Sequence, residues 1–223
     1  LLLTLLLIGN LIGGNLILSF GAQAESSLRF GVITTFSMPI ANVFMDKNGH
    51  NIGQEGRLYQ LGQQFADTLS LKIEYVPVPR EDALSFLMSG EVDTICYMTP
   101  QWLGAPPSSV AWTDPILKTR DILISRQGRV APIRTLKDLK GLNIGLVRHY
   151  HYPLIDDFIK RQLLFPVYAN SEQANFFQLF KNEGVDAIVF KDLTFDYLFN
   201  ELEGSMRSAK ILKHPLVIEF VEP

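Results

Sequence analysis

Cysteine is almost absent: Cys96 is the only one among 223 residues. No disulfide can form within the chain, so the fold must rest on an ordinary hydrophobic core. Excess positive charge is also lacking. Twenty Lys and Arg face 23 Asp and Glu, a formal net charge of −3 with the signs interspersed. That leaves no basic stripe to neutralise a phosphate backbone, which excludes nucleic acid as a partner. After Phe20 no run is long and apolar enough to span a bilayer, so the chain beyond it reads as soluble. A Cys that could carry a lipid would have to follow the leader directly, and Glu25 stands there instead.

What is present begins with an uncharged, Leu-rich run from Leu1 to Phe20, closed by the small-residue stop Ala22-Gln23-Ala24. This is the pattern of a secretory signal peptide cleaved after Ala24, which places the mature chain in the periplasm. A retained membrane anchor is the alternative, although Gly9, Asn10, Gly13, Gly14 and Asn15 interrupt the run. The run opens without Met or a basic segment, so the true start is expected further upstream. About 200 residues then remain, enough for one large domain or two lobes of ~100 each.

From Leu28 short β-rich runs alternate with amphipathic segments, the pattern of an α/β fold with mostly parallel sheets. Strands are expected at 28–33, 71–76 and 92–97, with helices at 58–69 and 81–88. A Pro- and Ser-rich loop follows, and residues 114–125 read as one extended connection between lobes. The second half repeats the theme: a helical turn at 136–139, strands at 142–147, 166–169 and 185–190, and helices at 154–164, 172–180 and 193–202. Each half carries a Gly followed closely by an acidic residue, Gly90-Glu91-Val92-Asp93 and Gly184-Val185-Asp186. Their physical reading is a left-handed turn leading into a buried strand.

Several segments together resemble the extracellular solute-binding proteins of ABC importers, of the type that binds polar amino acids (family 3). They are Leu28-Arg29-Phe30-Gly31-Val32, Ser89-Gly90-Glu91-Val92-Asp93, Trp112-Thr113-Asp114-Pro115, the stretch from Ile133 to Gly145, and Gly184-Val185-Asp186-Ala187-Ile188-Val189. The resemblance implies a type II periplasmic-binding fold, with lobe 1 at 25–118, lobe 2 at 119–223, and two hinge segments closing on a solute in the cleft. It also implies C-terminal helices returning to lobe 1, so the chain is expected to be truncated at Pro223. The implied partners are a small solute and the permease of an importer. The implied state is a monomer with no cofactor, meeting the membrane only through its partner.

The resemblance implies an Arg after the third strand to clamp a carboxylate, yet no Arg occurs between Arg80 and Arg120. It implies an acidic residue at the end of the last lobe-2 strand, where Lys191 and Asp192 stand. In their place, Phe36, Tyr97, Thr99 and Trp102 follow strand ends of lobe 1, where ligands of open α/β sheets bind. Aromatic faces there suit a flat or cationic ligand. On lobe 2, Arg148, His149, Tyr150 and Tyr152 form a turn before a helix, readable as an anion receiver or as a merely solvated basic turn. His149 and His151 fit no usual metal spacing. Catalysis has His149, His151, Lys191 and Asp192 as its candidates, but no nucleophile elbow or carboxylate pair accompanies them. The function expected is capture of a small polar or anionic, amino-acid-like solute. A ligand-sensing domain of a membrane signalling system and a dehydratase-like periplasmic enzyme are the alternatives.

Overall fold

The structure, a computed structural model, describes residues 26–45, 51–103, 107–181, 184–201, 210–221 and 223. The leader and its cleavage site lie outside the described residues. So does the end of the helix expected to run to Leu202.

The first sheet has the order β4-β1-β5, with β1 at Ser27–Ile33, β4 at Lys72–Val78 and β5 at Thr94–Ile95, all parallel. Helix α1 (Arg57–Leu69) connects β1 to β4 through a hairpin of β2 (Asn42–Met45) and β3 (Asn51–Glu55), which the sequence reading did not anticipate. Helix α2 (Ala83–Ser89) connects β4 to β5. The expected strand at 92–97 shrinks to two residues. Val92 and Asp93 bond to the end of α2 and to Arg29, and Tyr97 turns out of the ladder with φ 61°.

The second sheet has the order β10-β6-β9-β7-β8. Strands β7 (Asn143–Val147), β8 (Phe165–Ala169) and β9 (Ala187–Lys191) are parallel neighbours, joined through α3 (Pro153–Lys160) and α4 (Glu172–Lys181). Strand β6 (Thr119–Arg126) runs antiparallel to β9, and β10 (Ile211–Val221) antiparallel to β6. Strand β10 is thus parallel to β9, so four of the five strands point the same way and the expectation of a mostly parallel sheet holds in both lobes, with β6 alone reversed. The reversal of β6 has a physical source: it is the strand by which the chain enters this sheet, and among the described residues no α-helix between β5 and β6 sets its direction. Of the extended segment expected at 114–125 only 119–125 is strand, and the strand runs on to Arg126. Helix α3 stops at Lys160 rather than Leu164, because Gln162 adopts a left-handed φ of 54° and Leu163 N–H closes on the Phe158 carbonyl. Helix α5 (Asp192–Asn200) follows β9 directly. No described helix is long and apolar enough to cross a membrane.

The two Gly-acidic turns do the same job in both sheets. Gly90 caps α2 at φ 72°, and the Asp93 carboxylate accepts the Arg29 backbone N–H at 2.8 Å while Asp93 N–H returns to the Arg29 carbonyl at 2.9 Å. Gly184 sits at φ 77°, and the Asp186 carboxylate accepts the Asn143 N–H while Asp186 N–H returns to the Asn143 carbonyl, both at 2.8 Å. Arg29 and Arg129 complete the two clamps. These residues are architectural. They fix where β1 and β7 begin, and so where their carboxyl ends point.

Helix α4 is seated with similar care. Gly145 lets it approach β7, since a Cβ there would stand 2.5 Å from Asn175 Oδ1. The fully buried Asn175 then donates to the Gly145 and Val189 carbonyls, joining β7 to β9. Ser171 Oγ accepts the Ala174 N–H at 3.1 Å and caps the helix, which leaves Glu172 as its first residue.

Candidate functional site

The carboxyl ends of the parallel strands in the two sheets face each other, and the side chains that follow them pack into one buried polar cluster. From lobe 1 come Phe36 after β1, Arg80 two residues after β4, and Tyr97 and Trp102 after β5. From lobe 2 come Tyr150 after β7, Glu172 after β8, Lys191 as the last residue of β9, and Asp121 near the start of β6. This is where ligands of open α/β sheets bind.

Arg80 is at the centre. It is 4 % exposed, and its guanidinium stands 5.1 Å from the Trp102 ring centroid and 4.8 Å from that of Tyr150, one ring from each lobe. Among the described residues its one hydrogen bond runs to the Met98 thioether at 3.3 Å, a weak acceptor. Among the described residues no carboxylate comes within ion-pairing distance. Burial pulls its pKa down from the ordinary arginine value, although the nearby Tyr150, Tyr152, Glu172 and Asp121 oppose that.

Lys191 and Asp121 form a tight pair, Nζ to Oδ1 2.5 Å, each side chain 4 % exposed. The ammonium also lies 4.4 Å from the Trp102 centroid. Glu172 is buried, and among the described residues it accepts one side-chain hydrogen bond, from Thr194 Oγ1 at 2.9 Å. Burial pushes its carboxyl up to about 7, against the pull of Lys191 and Thr194. Phe36 and Tyr97 meet edge to face at 5.2 Å, and Tyr97 and Trp102 at 5.7 Å. The Tyr97 hydroxyl is buried, with Thr119 close by but outside hydrogen-bonding geometry. Three more contacts tie the lobes together at the edge of the cluster: Gln173 N–H to Ser37 Oγ at 3.0 Å, Thr35 Oγ1 to the Tyr150 hydroxyl at 3.5 Å, and His149 Nε2 to Glu81 Oε1 at 3.8 Å.

Of the residues singled out in the sequence, Phe36, Tyr97, Trp102, Tyr150 and Lys191 converge here. Others do not. Arg148 is exposed, stacked 5.6 Å from the Tyr168 ring and 3.4 Å from Asn170 Oδ1. Two of the turn's N–H groups are engaged with the backbone, Arg148 with the Ala169 carbonyl and Tyr150 with that of Val147. Tyr152 is buried in the lobe-2 core, its hydroxyl accepting the Val147 N–H at 3.0 Å. Thr99 bonds locally to Gln101. Asp192 is saturated by the Thr119 hydroxyl, the Arg120 guanidinium and the Arg120 and Leu193 N–H groups. Burial works against the charge of Asp192, but these donors hold its pKa below the usual carboxylate value. His151 pairs with Asp156 at the surface. Among the described residues no group of three His, Cys, Asp or Glu could hold a metal ion.

Sequence reasoning missed Arg80, Glu172 and Asp121. A signal existed for each. Arg80 follows the end of β4 as Phe36 follows β1, Glu172 opens a helix three residues past the end of a strand, and Asp121 is a charge directly before the apolar run Ile122-Leu123-Ile124. A cavity of about 330 Å³ lies behind the cluster, sharing Tyr97 and Met98 with it and bounded further by Phe65, Met88, Cys96, Trp112 and Pro223. Its walls are largely apolar, and Asp93, the carboxylate on its rim, is held by Arg29.

No protein-family profile matches the chain, and no curated protein matches it. Among solved structures it is similar to an arginine-bound glycine-to-alanine mutant of ArgBP from T. maritima, at 17 % identity and a TM-score of 0.66 over 87 % of this chain and 84 % of that one. It is similar also to the GluR0 ligand-binding core in complex with L-glutamate, at 17 % identity and a TM-score of 0.67 over 88 % and 82 % of the two chains. A third is the amino acid ABC transporter substrate-binding protein AbpA from Streptococcus pneumoniae bound to L-arginine, at 17 % identity and 0.62 over 87 % and 77 %. At these identities the likeness shows the fold: two α/β lobes of the type II periplasmic-binding kind.

Proposed function

We propose that this chain is a periplasmic solute-binding protein, which captures a small polar or anionic, amino-acid-like solute between its lobes and presents it to the permease of an ABC importer. Arg80 carries the reading. A guanidinium with five donors, nearly sealed from water and given only a thioether and two π faces, is costly to bury unless an anion completes it. A carboxylate arriving in the cleft would take the planar fork bidentately. Trp102 and Tyr150, contributed by opposite lobes, would then clasp the solute or the guanidinium that holds it.

Residues 25–118 and 119–223 act as the two lobes, and contacts made to both of them bias the protein towards closure. The bound solutes of the similar structures, arginine and glutamate, support an amino-acid-like ligand. The fold neighbours are binding proteins, which supports capture over catalysis.

A thermal-shift screen of the protein against amino acids, organic acids, polyamines and small sugars tests this. A solute at 100 times its dissociation constant adds ~2.7 kcal/mol of stability. Recovery of the hit unchanged establishes binding, whereas its conversion would make the protein an enzyme. Silence across the panel would refute the reading.

A further inference from the structure

The charges of the cluster do not cancel where they stand. Lys191 is spent on Asp121 at 2.5 Å, and Asp192 is saturated by Arg120, Thr119 and Leu193. Among the described residues of the cluster this leaves one cation without a carboxylate, Arg80, and one carboxylate without a cation at ion-pairing distance, Glu172. The two come from opposite lobes. Glu172 is 4 % exposed and among these residues accepts a single side-chain hydrogen bond, so as an anion it is as incomplete as Arg80 is as a cation.

We propose that Glu172 receives the cationic group of the solute, so that capture of a zwitterionic or cationic amino acid drives a proton off this carboxyl group and couples affinity to pH. The inference rests on the solute-binding reading of the cleft. In the step, neutral Glu172 loses its proton to bulk water and the carboxylate pairs with the incoming ammonium or guanidinium. No other bond changes. The groups that bear on Glu172 are Lys191 from β9, Asp121 from β6, Thr194 from α5, Arg80 from the turn after β4, and the hydroxyls of Tyr97, Tyr150 and Tyr152. Lys191 and Arg80 favour the anion and Asp121 disfavours it. Burial outweighs them and holds the carboxyl at about 7 in the absence of solute. A solute cation replaces the missing partner and reverses that balance.

Isothermal titration of the full chain with L-arginine, L-glutamine and L-glutamate, at pH 6 and pH 8 and in two buffers of different ionisation enthalpy, tests this. With the carboxyl at about 7, roughly a tenth of it is ionised at pH 6. The affinity of a bound probe is therefore expected to be about tenfold weaker at pH 6 than at pH 8, with close to one proton released per solute at pH 6. Glu172→Gln should abolish the pH dependence and weaken binding at pH 8. Thr194→Val, which removes a hydrogen bond to the charged form, should move the midpoint to higher pH. An affinity that is flat from pH 6 to pH 8, or binding without proton release, overturns the role of Glu172 and leaves the solute-binding reading intact. Failure of all three probes to bind at either pH overturns both.

Discussion

Replacing Asp121 with Val is expected to destabilise the protein by about 3–5 kcal/mol, the cost of stranding a buried charge. The geometry sets the scale. Nζ of Lys191 and Oδ1 of Asp121 are 2.5 Å apart, with both side chains 4 % exposed. At an effective dielectric constant near 20, unit charges at that separation attract by roughly 6–7 kcal/mol, and the desolvation of both groups offsets much of it. With Asp121 gone the desolvation of Lys191 remains, and the Trp102 face at 4.4 Å, worth about 2 kcal/mol at most, and the Glu172 carboxyl beyond ion-pairing distance offset it only in part. Lys191→Met, which removes the charge from the other side, should cost a similar amount by isolating Asp121. The double variant should recover most of the loss, because two apolar groups of similar volume leave nothing unpaired. Urea unfolding of the four proteins, followed by far-UV circular dichroism with m held common, closes this double-mutant cycle. A single substitution that costs under ~1 kcal/mol, or a double variant no more stable than the singles, would refute the argument that the pair is buried and mutually dependent.

Arg80→Met should weaken binding of a carboxylate solute by ~1.5–3 kcal/mol in a titration while leaving the unliganded protein no less stable, since it removes a buried charge that lacks a carboxylate. Arg148→Ala should leave that affinity within about twofold, because Arg148 stands exposed against Tyr168, outside the cluster. The Glu172 carboxyl rises from 4.5 to about 7 on folding, so the folded state holds the extra proton. Stability of the unliganded protein should therefore fall as pH rises through that window, by roughly 3 kcal/mol in all, and Glu172→Gln should flatten the fall. His214 works in the opposite sense. Its Nδ1 accepts the Ile133 N–H and its Nε2 meets Ser125 Oγ, so the folded protein holds the neutral ring and burial lowers its pKa from 6.5. Its contribution is complete above about 6.5 and lost as pH falls below it, and denaturation of His214→Gln across pH 5–7 should lack that component.

The alternation of strands and helices was legible because it is written in local periodicity. So was the left-handed turn at Gly90, which needs a residue without a side chain at a helix end. The 42–55 hairpin and β10 were not read, since hairpin pairing and an antiparallel return are decided by partners far away in the chain. In the cluster, strand-end logic led to Phe36, Tyr97 and Trp102, yet Arg80 was passed over because the resemblance drew attention to the segment after the third strand. Arg148 and Asp192 have the right chemistry in the right neighbourhood. Which way a side chain points depends on partners such as Tyr168, Thr119 and Arg120, and spacing along a chain does not reveal those.

Strands β6 and β10 lie side by side where the chain passes between the lobes, and beyond their ladder the Ile116 N–H still bonds the Pro223 carbonyl at 3.0 Å. Two crossings laced together behave unlike two loose tethers. Sliding one past the other breaks rungs, and twisting them apart breaks more, whereas flexing both together across the ribbon breaks none. Bending across this ribbon is therefore the least costly way to move one sheet relative to the other, a leaf turning about one pin, and Tyr150 on Arg80, Gln173 on Ser37 and His149 on Glu81 all lie on the side that such a turn would open.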